Sequence, residues 1–217
     1  MLEERITELK QKIVEYTGIV EGMVDKSMKG LFQKKKELLD EVIEKDEPKA
    51  NEFEIRLDEL CTTIIAQFQP KARDLRTILM ILKMNNDLER LADHAVNISQ
   101  SALFLIERPP VKPYIDLPKM SEIVIGMLTD SVNGFINEDA TLAKEICQRD
   151  DEVDRLKVEI TKELAGFMAK DPNTIDRALN LLRITTNLER IADLSTNICE
   201  DVVFLVEGRV IKHHQDE

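Results

Sequence analysis

Glu89 and Asp93 stand four positions apart in the stretch NNDLERLADHAVNIS, residues 85–99, and one hundred positions later TTNLERIADLSTNIC repeats the pair as Glu189 and Asp193. On a helix advancing 100° per residue each pair lies within about 40°, and Asn97 and Asn197 continue the same rows. Two like charges at this spacing destabilise a helix by roughly 0.2–0.5 kcal/mol. A cation from outside the helix removes the conflict, so these residue types at this spacing point to metal binding. Asp150 and Asp154 make a further i,i+4 pair, expected at the start of the fifth helix, and Glu54 stands one hundred positions before Asp154, which offers a second wall to such a site. Oxygen-only ligands suit hard cations such as Mg²⁺, Mn²⁺ or iron, and carboxylates on facing helices can bridge more than one ion. Ala50 occupies the position that matches Asp150, so the first-half site is expected to be the poorer one.

A single Glu-x-x-x-Asp is an ordinary solvated helix face; its duplication in matching positions is what favours a site. Di-iron oxidases and ferritin-like storage proteins use Glu-x-x-His on two helices. Here His94 follows Glu89 at i+5, off its face, and Glu189 has no such histidine, so carboxylate metal storage stays only as an alternative. His94, whose counterpart is Leu194, reads as a surface or interface residue, while His213 and His214 belong to a charged tail. No Gly-rich phosphate loop, nucleophile elbow or Ser/His/Asp set is present, and an enzyme is not expected. Cys61, Cys147 and Cys199 contain no CxxC pair and read as reduced, mostly buried thiols of a cytoplasmic protein. Lys34, Lys35 and Lys36 form the one compact basic run, which most often means a solvated face.

The elements that position these acids must be long helices. Of 217 residues, 33% are charged and 43% hydrophobic, with 4% aromatic, no Trp and 7 Gly, a balance that favours amphipathic helix over sheet. The net charge of -12 opposes polyphosphate backbones, which argues against nucleic acid as the main partner. The start MLEERITELK lacks a signal peptide's apolar core, and no window has the ~18 apolar residues of a spanning helix. Apolar periodicity predicts one long helix, or two nearly continuous ones, from Leu2 to about Lys45, a further helix opened by Pro48 and running to about Phe68, and another from Pro70 to about Glu107. The stretch 108–118, with Pro109, Pro110, Pro113 and Pro118, is expected to be non-helical linker. The pattern then predicts helices from about Lys119 to Gln148 and from about Asp151 to Ala169. A last one, capped by Asp171-Pro172, runs to Glu207 and ends at Gly208.

The halves are related by sequence. At an offset of 100, Leu88, Glu89, Arg90, Ala92, Asp93, Asn97 and Ile98 meet identical residues; on the first helices the offset is 104, where Gly22, Met23, Ser27 and Gly30 match Gly126, Met127, Ser131 and Gly134. The difference of four falls around Glu47-Pro48-Lys49-Ala50, an insertion of about one helical turn. An internal duplication follows, and the expected fold is all-α: two pseudo-repeated three-helix bundles at 1–110 and 119–217, with a Pro-rich linker at 111–118.

The duplicated LER-ADxxxNI signature resembles the PhoU family. So do Gln69-Pro70 followed by Asp74-Leu75-Arg76, the run Asp87 to His94, the run Asn187 to Asp193 with Asn197-Ile198, and the closing EDVVFLVEGRVIKH. The resemblance covers nearly the whole chain and implies a fold of two three-helix bundles. It also implies that Glu89, Asp93, Glu189, Asp193, Asp150 and Asp154 hold multinuclear metal clusters, iron foremost, with zinc, manganese or magnesium as other occupants. Ala92 and Ala192 stand where the family commonly has Gly, and Leu194-Ser195 replaces the usual His-Ala. The implied role is a negative regulator of the phosphate-starvation response that couples a phosphate-specific ABC transporter, through its ATPase subunit, to a sensor histidine kinase. The implied form is a homodimer. An accessory of another ion transporter is the alternative.

Overall fold

Leu9, Ile13, Tyr16, Val20, Met23 and Val24 recur at three- and four-residue spacing and are fully buried, the stripe that winds the first long helix, α1 (Leu2–Gln33), onto the core. The computed structural model describes residues 1–207. Gly208, His213 and His214 lie outside the described residues, so the expected helix end and charged tail do too.

α1 ends at Lys34, whose left-handed backbone (φ 55°) turns the Lys34 and Lys35 N–H groups back onto the carbonyls of Leu31 and Gly30, at 3.4 and 2.9 Å. The second half repeats this. α5 (Asp116–Asn137) ends at Glu138 (φ 53°), where Glu138 and Asp139 donate to Phe135 and Gly134 at 3.3 and 2.9 Å. The helix expected to reach Gln148 therefore stops earlier, and between Leu2 and Lys45 the chain takes two helices rather than one. Neither turn carries the glycine that normally marks a left-handed cap, so the periodicity runs through without a visible stop. Asp139 then caps α6 (Ala140–Lys170), its carboxylate accepting from the N–H groups of Thr141 and Leu142 at 3.0 Å.

Pro48 stands in the first turn of a helix that runs to Phe68, as expected, but that helix does not follow a break in the chain's path. The proline lies inside one rod formed by α2 (Lys36–Glu41), a π-helical turn (Val42–Asp46) and α3 (Glu47–Phe68). A regular turn would press the proline ring on the carbonyl four residues back, and four extra residues would overwind the helix by about 40°. A wider π turn relieves both. Lys26 of α1 braces this turn through Glu41 and Asp46, each at 2.7 Å.

The rod passes by way of Gln69-Pro70 into α4 (Ala72–Ile106), and α6 passes through a 3₁₀ turn (Pro172–Thr174) into α7 (Ile175–Glu207). Asp171 caps that turn by accepting from Asn173 N–H at 3.0 Å. The described residues thus form six rods. α1, α2–α3 and α4 pack as one three-helix bundle and α5, α6 and α7 as the other, with α4 against α7 and α1 against α5 joining them. Small residues allow close approach within the first bundle: the buried Ser27 hydroxyl of α1 lies 3.0 Å from the carbonyl oxygen of Ala95 and 2.7 Å from the Ser99 hydroxyl, both on α4.

α5 begins at Asp116, inside the stretch expected to be linker. Pro118 fits there because the first turn of a helix has N–H groups without intrahelical acceptors. The preceding segment is anchored. Arg108 stacks over the Phe104 ring at 3.6 Å, Arg177 donates to the Pro109 carbonyl at 2.7 Å, and the buried Lys112 pairs with Glu163 and with Asp116. Among the described residues no helix is long and apolar enough to cross a membrane.

Candidate metal-binding sites

α4 and α7 bury Leu88, Leu91, Ala92 and Ala95, and Leu188, Ile191, Ala192 and Ser195, in the two cores. That fixes the rotation of each helix, and Glu89–Asp93 and Glu189–Asp193 fall on its flank, facing α3 and α6 respectively. Asp150 and Asp154 lie in the middle of α6, not at a helix start, because the helix begins at Ala140.

In the second half Glu189 is buried and Lys157, reaching across from α6, pairs with its Oε1 at 2.6 Å. Its Oε2 is buried without a hydrogen-bond partner among the described residues, with the Arg190 guanidinium at 3.7 Å. Arg190 also pairs with Asp193 at 3.2 Å. A counter-ion three residues before each aspartate, Arg90 or Arg190, is thus part of the pattern, which a reading of bare acid pairs overlooks. Burial raises the Asp193 carboxyl above the usual range, with Glu189 and Asp154 adding to it and Arg190 and Lys157 opposing. Asp154, Glu189 and Asp193 therefore share one electrostatic neighbourhood between α6 and α7.

In the first half Glu54 of α3 joins Glu89 and Asp93. Burial raises the Glu89 carboxyl, Asp93 and Glu54 raise it further, and Arg90 opposes. Arg90 points instead to Asp87, at 3.8 Å. Beneath these acids lies Tyr16 of α1, stacked on Phe53 with ring centroids 5.5 Å apart. Tyr16 is fully buried and its hydroxyl has no hydrogen-bond partner among the described residues. Burial pushes the phenol well above its ordinary value, and Glu89, Glu54 and Asp93 are the charges that push it further. The sequence reading missed Tyr16 and Lys157. Both were visible as departures from the repeat, since Met120 matches Tyr16 at offset 104 and Leu57 matches Lys157 at offset 100.

Asp150, Asp193 and Asn197 line a polar cleft of about 370 Å³ together with Arg90, His94 and Arg190. His94 sits at the junction of the two bundles, its Nδ1 2.8 Å from Asn187 Oδ1 on α7, which places it at an interface as expected. Asn97 is exposed on α4, one turn beyond Asp93. Cys61 and Cys199 are buried and Cys147 is half-buried beside Cys199.

The donors match a hard cation in kind, since all are oxygens on facing helices and two of them, Tyr16 Oη and Glu189 Oε2, are buried without a hydrogen-bond partner. They are not gathered into a finished cage: among the described residues no three His, Cys, Asp or Glu side chains converge to hold one metal ion. Loading a cation requires the long Glu54 and Glu89 side chains, or Glu189 and Lys157, to change rotamer.

Comparison with known proteins places both halves together. The PhoU domain matches residues 13–102 and again 117–202. The chain is similar to the Phosphate-specific transport system accessory protein PhoU homolog of Aquifex aeolicus, 39% identical over 210 residues, covering 97% of this chain and 95% of that one. It is similar also to the homolog of Pseudomonas putida, 34% identical over 96% of this chain and 81% of the other. Among solved structures, PhoU from Pseudomonas aeruginosa superposes with a TM-score of 0.92 at 32% identity, covering 96% of this chain and all of the other. The phosphate transport system regulatory protein PhoU from Streptococcus pneumoniae gives 0.89 at 28% identity over 98% of this chain and all of the other.

Proposed function

We propose, because this chain belongs to the PhoU family, that it serves as an accessory protein of a phosphate-specific transport system and represses the phosphate-starvation response when phosphate is plentiful. In this reading it couples the transporter, through its ATPase subunit, to a sensor histidine kinase, as a homodimer in the cytoplasm. The observation that carries the reading is coverage: the likeness spans both bundles and the joint between them, so the whole scaffold is shared. Six long helices present a broad, rigid surface, which suits docking more than chemistry. The test is deletion of the gene followed by an alkaline-phosphatase reporter assay in high phosphate. Derepression restored by the wild-type chain supports the reading; an unchanged reporter contradicts it and favours an accessory of another ion transporter.

The second component of the reading is cation binding by the acid strips. Glu54, Glu89 and Asp93, with Asn97 one turn on, would hold one ion or cluster. Asp150, Asp154, Glu189 and Asp193, with Asn197, would hold another. The bound ions, multinuclear iron or zinc, manganese or magnesium, would neutralise like charges packed between helices and fix the spacing of α3 to α4 and of α6 to α7. The two buried oxygens without partners support this reading.

A further inference from the structure

α6 and α7 run antiparallel, and two ion pairs between them set their register: Lys157 with Glu189 at 2.6 Å and Lys144 with Glu207 at 2.8 Å. Ten residues back from Lys157 stands Cys147, and ten residues on from Glu189 stands Cys199. Both steps move about 15 Å in the same direction along the bundle, so the two cysteines share one level on adjacent helices. Cys147 is half-buried and packs at the edge of the core, while Cys199 is buried entirely. Their sulfurs are within hydrogen-bonding reach of each other.

The first bundle shows what frees Cys199 for this contact. Its counterpart there, Ser99, is engaged by Ser27 of α1, the two hydroxyls 2.7 Å apart. In the second bundle Ser131, which matches Ser27, donates instead to the Leu128 carbonyl at 2.7 Å, and the sulfur at position 199 turns to α6. Cys147 matches Glu47 at the offset of 100, so the thiol pair belongs to the second bundle alone. The third cysteine, Cys61, is fully buried on α3 of the first bundle.

We propose that Cys147 and Cys199 are an oxidative modification site, at which hydrogen peroxide oxidises Cys147 and Cys199 resolves the product to a disulfide tying α6 to α7. The polar cleft of about 370 Å³ described above is lined by Asp150, three residues on from Cys147, and by Glu200, which follows Cys199. It brings a small polar oxidant to the half-buried sulfur; Cys199, at 0% exposure, is reached through Cys147. The Cys147 sulfur takes one peroxide oxygen as the O–O bond breaks, and the other oxygen leaves as water, giving a sulfenic acid. The Cys199 sulfur then displaces that hydroxyl, which carries off the Cys199 proton as a second water. The sulfurs lose two electrons and the peroxide gains them. A dithiol returns the pair to thiols by exchange, becoming a disulfide itself.

The test uses the full chain, reduced, desalted and treated with hydrogen peroxide. Thiols counted in denaturant should fall from three to one, with the protein monomeric on a non-reducing denaturing gel. Peptide mass mapping should find Cys147 joined to Cys199, and dithiothreitol should restore all three thiols. Cys61→Ser should leave the link intact. Cys199→Ser, which installs the residue of the matching position, should stop at a Cys147 sulfenic acid that dimedone traps. Cys147→Ser should slow oxidation of Cys199 about ten-fold or more. Circular dichroism melts confirm that each variant folds. Three thiols persisting in the wild-type chain, Cys147 ending as a sulfinic acid or in a disulfide between chains, or Cys199 oxidising equally fast without Cys147 would each overturn the proposal.

Discussion

Lys157 Nζ lies 2.6 Å from Glu189 Oε1, across the groove between α6 and α7, and among the described residues nothing equivalent reaches Glu89, because Leu57 fills the matching position in the first bundle. Glu189 is 8% exposed, so removing Lys157 leaves a buried carboxylate with only the Arg190 guanidinium, at 3.7 Å, to balance it. Lys157→Met, which keeps most of the volume, should destabilise the metal-free protein by about 1–3 kcal/mol in urea unfolding. Millimolar Mn²⁺ should recover a large part of the loss. Unchanged stability of the metal-free variant would mean that the ion pair contributes nothing to the fold.

The joint between the bundles should respond to pH through Asp87. Its carboxyl, 14% exposed on α4, is pushed up to about 6 by burial; Arg90 opposes, Asp201 of α7 adds to the rise and Lys83 opposes. Asp87 lies about 200° around the helix from Glu89, on the opposite side from the acid strip. A carboxyl that holds its proton more tightly when folded gives a contribution that is fully present below about pH 4 and is lost as pH rises through about 6. Asp87→Asn, which installs the residue found at the repeat-related position 187, should abolish that loss and stabilise the protein at pH 7.5 by about 2 kcal/mol. The check is urea unfolding at pH 4, 6 and 7.5; a pH profile parallel to wild type would refute it.

The two left-handed turns that end α1 and α5 differ in tolerance. A Cβ on Gly30 would overlap Leu39 Cδ2 and lie 2.6 Å from its Cγ, and Leu39 is fully buried. Gly30→Ala should cost about 1–3 kcal/mol as the core shifts. A Cβ on Gly134 meets only the Asp139 carbonyl, at 3.7 Å, an ordinary contact. Gly134→Ala should therefore be neutral or gain up to about 1 kcal/mol from helix propensity. Thermal melts of the two variants should move in opposite directions, or the second not at all.

The duplication and the helical class were legible because identity at offsets of 100 and 104 survives in the chain and apolar periodicity marks every long helix. The helix ends were less so. Lys34 and Glu138 take left-handed backbone that glycine usually supplies, and the π turn before Pro48 joins α3 to α2 in one rod, so the proline marks a helix start without marking a break. The acid strips were found because Glu and Asp at i,i+4 share one helix. Tyr16 and Lys157 were not, because each reaches the acids from a different helix, and only the packing brings α1 onto α4 and α6 onto α7. A partner across a bundle leaves no periodic trace on the strip it serves.

The most direct measurement is the metal content of tag-free protein purified without chelator, by elemental analysis, beside the Asp93→Ala and Asp193→Ala double variant. Ions bound to the wild-type chain and lost from the variant are the predicted result. No metal on either protein, even after reconstitution with iron, manganese or zinc, would contradict it, and the repeated acids would then have to serve as docking surfaces for basic partners.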